Sequence, residues 1–320
     1  METLLSYGPP AKNSQLTAGL FYKDTEANFD AGDPTDANCP NKGLKKRYEY
    51  FRDSRFVDLM GPIHCDLFFQ DRFLPSDVGF KLRFVRNRDS FCLMSDAPNA
   101  TYKLKINECK LYVRKIKLSP SVFVAHAKAL EIGNAKYPVR RVVCKTYTIP
   151  AGNLNSVQEN MFSGPLPTRV VIGFVDNAAY NGSYALNPFN FKHYSMANLT
   201  LYVDGQAGYK VKPLELNFAQ GLYINAYMTL FSGLDKLYKD ERNDISRVEY
   251  ANGFSLFAFD LTADLADSGS HFQLTRDGSV RLDVKFAQAL PNTVNVIVYA
   301  EFENVLEITR NRTVLFDYSN

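Results

Sequence analysis

The chain has 320 residues, 46% of them hydrophobic and 22% charged, which supplies material for a packed core and excludes a globally disordered polypeptide. A net charge of +3 and a pI near 8.4 are too mild to mark a nucleic-acid or membrane protein by themselves. No apolar run is long enough to cross a bilayer, and the opening METLLSYGPPAKNSQ lacks a signal-peptide layout, so neither a membrane nor a secreted protein is expected.

In chain order, a helix is expected within the first twenty residues, followed by a turn-rich stretch at 28–43. A strand is expected at 56–67. Residues 80–84 (FKLRF) alternate apolar and charged, the pattern of a half-buried antiparallel strand. After a turn at 95–100 comes a long strand, 102–118, that changes phase. Tyr102, Leu104 and Ile106 share one face, and Cys109, Leu111 and Val113 take over three residues later, as an extra residue near Asn107-Glu108 would cause. A second slip separates Val113 from Ile116.

Ser119-Pro120 and the Ala-rich segment after it predict a helix over 120–131, stopped by Gly133-Asn134. Strands are expected at 141–149 and 169–175, the latter (VVIGFV at 170–175) apolar enough to be covered on both faces. Turn-rich segments lie at 150–168 and 176–193. Further strands are expected at 199–203, 209–214, 254–261, 280–286 (VRLDVKF) and from 294 to 308, with a helix from about Ala219 to Gly233. The 24 Phe, 19 Tyr and plentiful β-branched residues suit such pleated surfaces better than helix bundles. The five cysteines (Cys39, Cys65, Cys92, Cys109, Cys144) are scattered without a CxxC, which favours structural thiols in a reducing compartment.

The chain also resembles itself. Residues 1–8 (METLLSYG) have a counterpart in 227–233 (YMTLFSG), and Tyr22-Lys-Asp24 recurs as Tyr238-Lys-Asp240. After each come a polar loop, a strand, a glycine-opened alternating strand (79–84; 278–286) and a long closing strand (102–118; 294–308). The second unit is complete, with about eight strands, and the first matches its latter half. Eight antiparallel strands in some 180 residues suggest two four-stranded sheets, a jelly roll.

From about Ser119 onward the sequence resembles the major capsid protein of Polinton (Maverick) elements and adintoviruses. The carrying stretches are GPLPTRVVIGFVDN (164–177), NPFNFKH (187–193), LYVDGQ (201–206), GFSLFAFDL (253–261) and YAEF (299–302). The first half is similar through ETLLSYG (2–8), LFYKD (20–24) and LYVRK (111–115). The resemblance implies an all-β double jelly-roll of antiparallel β-sandwiches with a few short helices. It implies a homotrimer that forms a pseudo-hexagonal capsomer and tiles an icosahedral virion shell, made in the host cytoplasm and assembled there or in the nucleus. A minor (penton) capsid protein and packaged DNA are the other implied partners, with no cofactor and no membrane. Family members begin earlier, so the first roll is expected to be incomplete. The expected division is the latter half of a first roll at 1–118, a linker helix and turn at 119–138, and a complete second roll at 139–320.

Catalytic patterns are absent. His64, His126, His193 and His271 stand alone, and no HxH, HExxH, GxSxG or GxxxxGK occurs. Gly205-Gln-Ala-Gly208 reads as a turn between strands. Asp260, Asp264 and Asp267 read as a solvated turn and not a calcium loop. The rivals are a metal-dependent cupin enzyme, which would need clustered His and Glu ligands, and a single-roll carbohydrate- or partner-binding module. A host-domesticated copy that forms no particle is a further alternative.

Two segments remain as candidate contact sites. Residues 81–145 hold fifteen Lys or Arg against four Asp or Glu, a local charge of +11. Lys103, Lys105, Lys110, Arg114, Lys115 and Lys117 crowd one predicted strand, either as a solvated face or as a surface for packaged nucleic acid or an acidic neighbouring subunit. The Asn- and aromatic-rich segment 176–194 is too long for a plain turn. Its Tyr180, Tyr184, Phe189, Phe191 and Tyr194 suit either an intersubunit loop or an Ω-loop packed on its own sheet.

Overall fold

The computed structural model describes residues 1–30, 33–97, 99–207, 212–240, 243–265 and 274–316. Ten strands are formed, all of them after Gly133: β1 (Ala135–Ile149), β2 (Asn155–Pro165), β3 (Arg169–Asp176), β4 (Met196–Val203), β5 (Gln206–Ala207), β6 (Leu214–Glu215), β7 (Leu256–Asp260), β8 (Asp277–Phe286), β9 (Val294–Ile308) and β10 (Val314–Phe316). They build two antiparallel sheets. One runs β1-β9-β3-β7 with β10 beside β9, and the other runs β2-β8-β4-β5 with β6 beside β4. Setting aside the short β10, the first strand pairs with the last (β1 with β9), the second with the second-last (β2 with β8), β3 with β7, and β4 with β5 and β6. That nested wiring is a jelly roll.

The alternation read from the sequence sets the register. Val280, Leu282, Val284 and Phe286 of β8 point inward, opposite Leu199, Leu201 and Val203 of β4. From the other sheet, Val170, Ile172 and Phe174 of β3 meet Val296, Val298 and Ala300 of β9 in direct register. The Phe174 ring lies edge-on to Phe257 and Phe286, which closes the core between the sheets. Outside, Arg281 lies 3.9 Å over the Tyr202 ring beside Asp283 on the polar face of β8.

The first sheet is covered on both faces at β3, while β1 at its edge keeps exposed positions such as Val142 and Lys145. All of β3 from Arg169 to Val175 is buried, as its apolar run predicts, because a second layer covers it. That layer comprises α1 (Glu2–Ser6), α2 (Pro9–Lys12), α3 (Lys42–Phe51) and the loop between them, together with α6 (Asn177–Asn181), α7 (Ile224–Ser232) and α8 (Arg247–Ala251). Helix α7 lies flat on β7: a Cβ on Gly233 would sit 2.5 Å from the Ala258 carbonyl oxygen.

Several expectations are corrected. Residues 150–168 are not only turn, since β2 occupies 155–165. It reads as polar because it is an edge strand. Moreover, three of its residues, Glu159, Asn160 and Met161, bulge between the ladder positions of Gln158 and Phe162. The predicted strands at 56–67, 80–84 and 102–118 do not form. A strand is completed by a ladder partner, and no segment among the described residues pairs with these. A 3₁₀ turn at Asp66–Phe69 closes the first of these segments, and α4 (Asp89–Cys92) lies between the other two. The predicted linker helix is present as α5 (Pro120–Ile132), ending at Gly133, but it buries no residue. β1 starts at Ala135, inside the stretch read as linker. Half of the strand expected at 209–214 and Gly208 lie outside the described residues, as do His271 and Asp267, while Gln206 and Ala207 of the expected turn form β5 and Leu214 opens β6. Asp260 is not in a solvated turn: it is 3% exposed at the end of β7 and accepts from the Thr262 N–H and hydroxyl.

Candidate assembly surfaces

The first fifty residues dock on the roll like a strap, through one aromatic key and several buried ionic clips. Phe29 is 1% exposed and meets Phe254 edge-on at 4.9 Å. It fits because residue 253 is glycine, whose φ of +120° suits no L side chain and whose missing Cβ would lie 2.1 Å from the Phe29 ring. Lys12, 3% exposed, donates to the Leu4 carbonyl and to Asp244, while Lys23 reaches Asp244 at 3.6 Å and Glu249 at 2.7 Å. Tyr299 of β9 donates its hydroxyl to Glu2, in the same corner as the buried Arg169–Glu301 pair at 3.3 Å.

These clips titrate. Burial would push the Asp244 carboxyl up, but the Lys12 hydrogen bond and the charges of Lys12 and Lys23 outweigh it and hold the group below the usual aspartate range. Glu249 is likewise held down, since its bonds to Lys23 and Ser246 outweigh its burial. A lowered folded pKa stabilises the native state fully above the unfolded value, about 4 for these groups, and that stability is lost as pH falls through the folded values. Hydrogen exchange in residues 1–51 should therefore rise below about pH 4, ahead of exchange in β3 and β9. Asp244→Asn should flatten this dependence, and an unchanged profile in that variant would refute the assignment.

The aromatic segment 176–194 is an ordered loop on its own roll. Phe191 is 2% exposed and bridges to Phe254, and the Tyr194 hydroxyl is buried, which pushes its pKa up. The outer aromatics reach the chain's first half. Tyr184 donates to the Tyr102 carbonyl at 2.6 Å, its own carbonyl accepts from Ser95, and Phe189 meets Phe91 at 5.9 Å. Tyr180 pairs with Thr146 of β1 at 3.0 Å. Asp30 of the strap accepts from the Asn187 N–H, the Asn190 amide and Lys192, and Asp24 accepts from the Asn187 side chain. The loop thus clasps two other parts of the same chain.

Residues 56–118 wrap a hollow of about 3150 Å³ that continues to α5 and the start of β1. Its wall leaves Phe56 91% exposed, Phe84 67%, Tyr112 76% and Ile106 61%, alongside many polar and charged residues. The six basic residues are all exposed, and five of them, Lys103, Lys105, Lys110, Arg114 and Lys115, lie on this wall, with Lys117 next to it in sequence. They are brought together by sequence proximity and not by a strand. Among the described residues, Lys110 alone of the six has an ion pair, with Glu108 at 2.9 Å.

The histidines and cysteines stay dispersed. His64 Nε2 contacts the Thr3 hydroxyl, His126 is exposed on α5, and His193 stacks on Phe218 at 3.9 Å with Nδ1 accepting from the Ser195 N–H. Burial draws the His193 pKa down, so its ring is neutral at pH 7. Among the described residues no three His, Cys, Asp or Glu side chains gather as a metal site, and all five cysteines are free thiols. Sequence reasoning missed the strap, whose partners lie up to 297 positions away; the glycine before Phe254 was its one visible trace.

No protein-family model matches the chain. An uncharacterized protein of Caenorhabditis elegans is 27% identical over 324 residues, covering 99% of this chain and 73% of that protein. Among solved structures the chain is similar to PBCV-1 VP54 fitted into a reconstruction of the virophage Sputnik. The TM-score is 0.41 at 11% identity, over 63% of this chain and 55% of that one. It is also similar to the Faustovirus major capsid protein, with a TM-score of 0.37 and 9% identity over 60% of this chain and 36% of that one. For the mavirus major capsid protein the TM-score is 0.33 and the identity 13%, over 59% of this chain and 43% of that one. The chain therefore spans between 36% and 55% of the length of these solved chains.

Proposed function

We propose that the chain is a structural capsid protein that assembles with copies of itself, of the Polinton and adintovirus type. Jelly rolls serve as capsid tiles, lectin-like modules and cupin enzymes. The observation that carries the capsid reading is the open hollow with its exposed Phe56, Phe84, Ile106 and Tyr112 beside a fully wired roll, since clustered exposed apolar side chains mark surfaces that partners cover. The resemblance of blocks such as 164–177 and 253–261 supports the same reading. In this reading three copies close into a pseudo-hexagonal unit with the strap-covered sheets standing as walls. Such units then tile the shell of a virion, with a minor penton protein at its vertices.

Size-exclusion chromatography with light scattering tests this on the purified chain of 36.2 kDa. The expected species has three times that mass, and negative-stain images should show rings with three-fold symmetry. A monodisperse monomer would overturn the proposal, and saturable glycan binding by that monomer would identify a single-roll carbohydrate module instead.

A further inference from the structure

We propose that the basic run 103–117 is a binding site for a nucleic-acid backbone. Five of its six cations, Lys103, Lys105, Arg114, Lys115 and Lys117, have no ion pair among the described residues, and all six are exposed. Elsewhere the chain pairs its buried and half-buried charges closely, as in Arg47–Asp24, Lys12–Asp244, Lys23–Glu249 and Arg169–Glu301. Six exposed cations over fifteen residues present a dense positive surface that suits a partner with a repeating negative charge.

A second copy of this chain offers no such partner. Among the described residues its acidic turn of Asp30, Asp33 and Asp36 is already engaged. Asp30 is bonded to Asn187, Asn190 and Lys192, Asp33 accepts from the Thr35 N–H and hydroxyl, and Asp36 accepts from the Asn38 N–H. A phosphate backbone, with one charge per about 1.7 Å of duplex axis, exceeds the charge density of the run and can neutralise all six cations. Exposed Tyr102 and Tyr112, interleaved with the cations, add ring faces on which bases of a single strand can stack. The site works by charge and is indifferent to sequence.

The test uses the full chain and a fluorescein-labelled 30-base DNA, single-stranded and as duplex, read by anisotropy from 50 to 200 mM salt. Duplex affinity should fall by about 1000-fold over that range, as six phosphate contacts imply. Changing all six residues to Gln should remove most of the salt dependence and weaken binding at 50 mM by at least about 100-fold. An equal-charge control, with Lys42, Lys46, Arg52, Lys128, Lys285 and Arg310 changed to Gln, should bind as the parent does. Equal losses in both variants would mean that net charge alone is at work, and unimpaired binding by the first variant would likewise overturn the site. If the parent binds no DNA but the first variant loses self-association, the partner is an acidic protein surface and the proposal fails. Light scattering on the same samples reads assembly separately, so failure to bind and failure to assemble are distinct results.

Discussion

Phe29→Ala is expected to lower stability by about 3–5 kcal/mol, because it empties a fully enclosed ring site between the strap and Phe254. For a domain of this size that is a fall in Tm of roughly 6–20 °C. Gly253→Val should be at least as severe: the added side chain occupies the space of the Phe29 ring and carries a φ of +120°, which a β-branched residue does not adopt. The two residues are coupled, so Gly253→Ala should cost less in the Phe29→Ala background than alone, with only the backbone strain remaining. Thermal unfolding of the four species closes the cycle. Additive losses would show that the ring does not occupy the glycine's space. Limited proteolysis gives a second readout, since cleavage near residues 30–40 should accelerate in both single variants while β3 and β9 stay protected.

Lys12→Met is the second large effect. Removing the ammonium leaves the Asp244 carboxylate with Lys23 alone and strips the Leu4 carbonyl of its donor. Breaking a buried pair from one side costs about 3–5 kcal/mol, and because Asp244 is 25% exposed the expected loss here is about 2–3 kcal/mol. Adding Asp244→Asn should recover part of this by removing the orphaned charge. Denaturant titration checks it. A double variant less stable than Lys12→Met would mean that Asp244 serves the fold in some other way than through Lys12.

The roll was legible because its strands obey simple alternation and have partners. Val280 to Phe286 and Leu199 to Val203 could be assigned to an inner and an outer face before any coordinates, and the apolar block 170–175 announced a strand with cover on both sides. The same alternation at 80–84 misled, because pattern selects a face but pairing makes the strand, and no ladder partner reaches that segment among the described residues. β2 was hidden for the opposite reason: it has its partner, β8, yet its edge position permits a polar sequence. The strap was invisible locally. Phe29, Lys12 and Asp30 are ordinary residues in a turn-rich stretch until the fold brings Gly253, Asp244 and Asn187 against them. Of the two candidate contact segments, the aromatic one divided by depth. Phe191 and Tyr194 joined the interior, while Tyr180, Tyr184 and Phe189 became a clasp on neighbouring parts of the chain.

The bulge in β2 also bears on how copies can join. β1 and β2 each leave one long side without a neighbouring strand, the usual template for end-to-end fibre growth. On β1 that side is interrupted where Asp66 takes the Arg140 N–H and Arg72 takes the Lys136 carbonyl. On β2 it is broken at Glu159–Met161, where the Met161 carbonyl is claimed by Lys145 and Tyr147. Neither of these two edges therefore offers an incoming chain an uninterrupted row of peptide groups. Contacts along them are left to side chains and loops, as the closed tile proposed above requires.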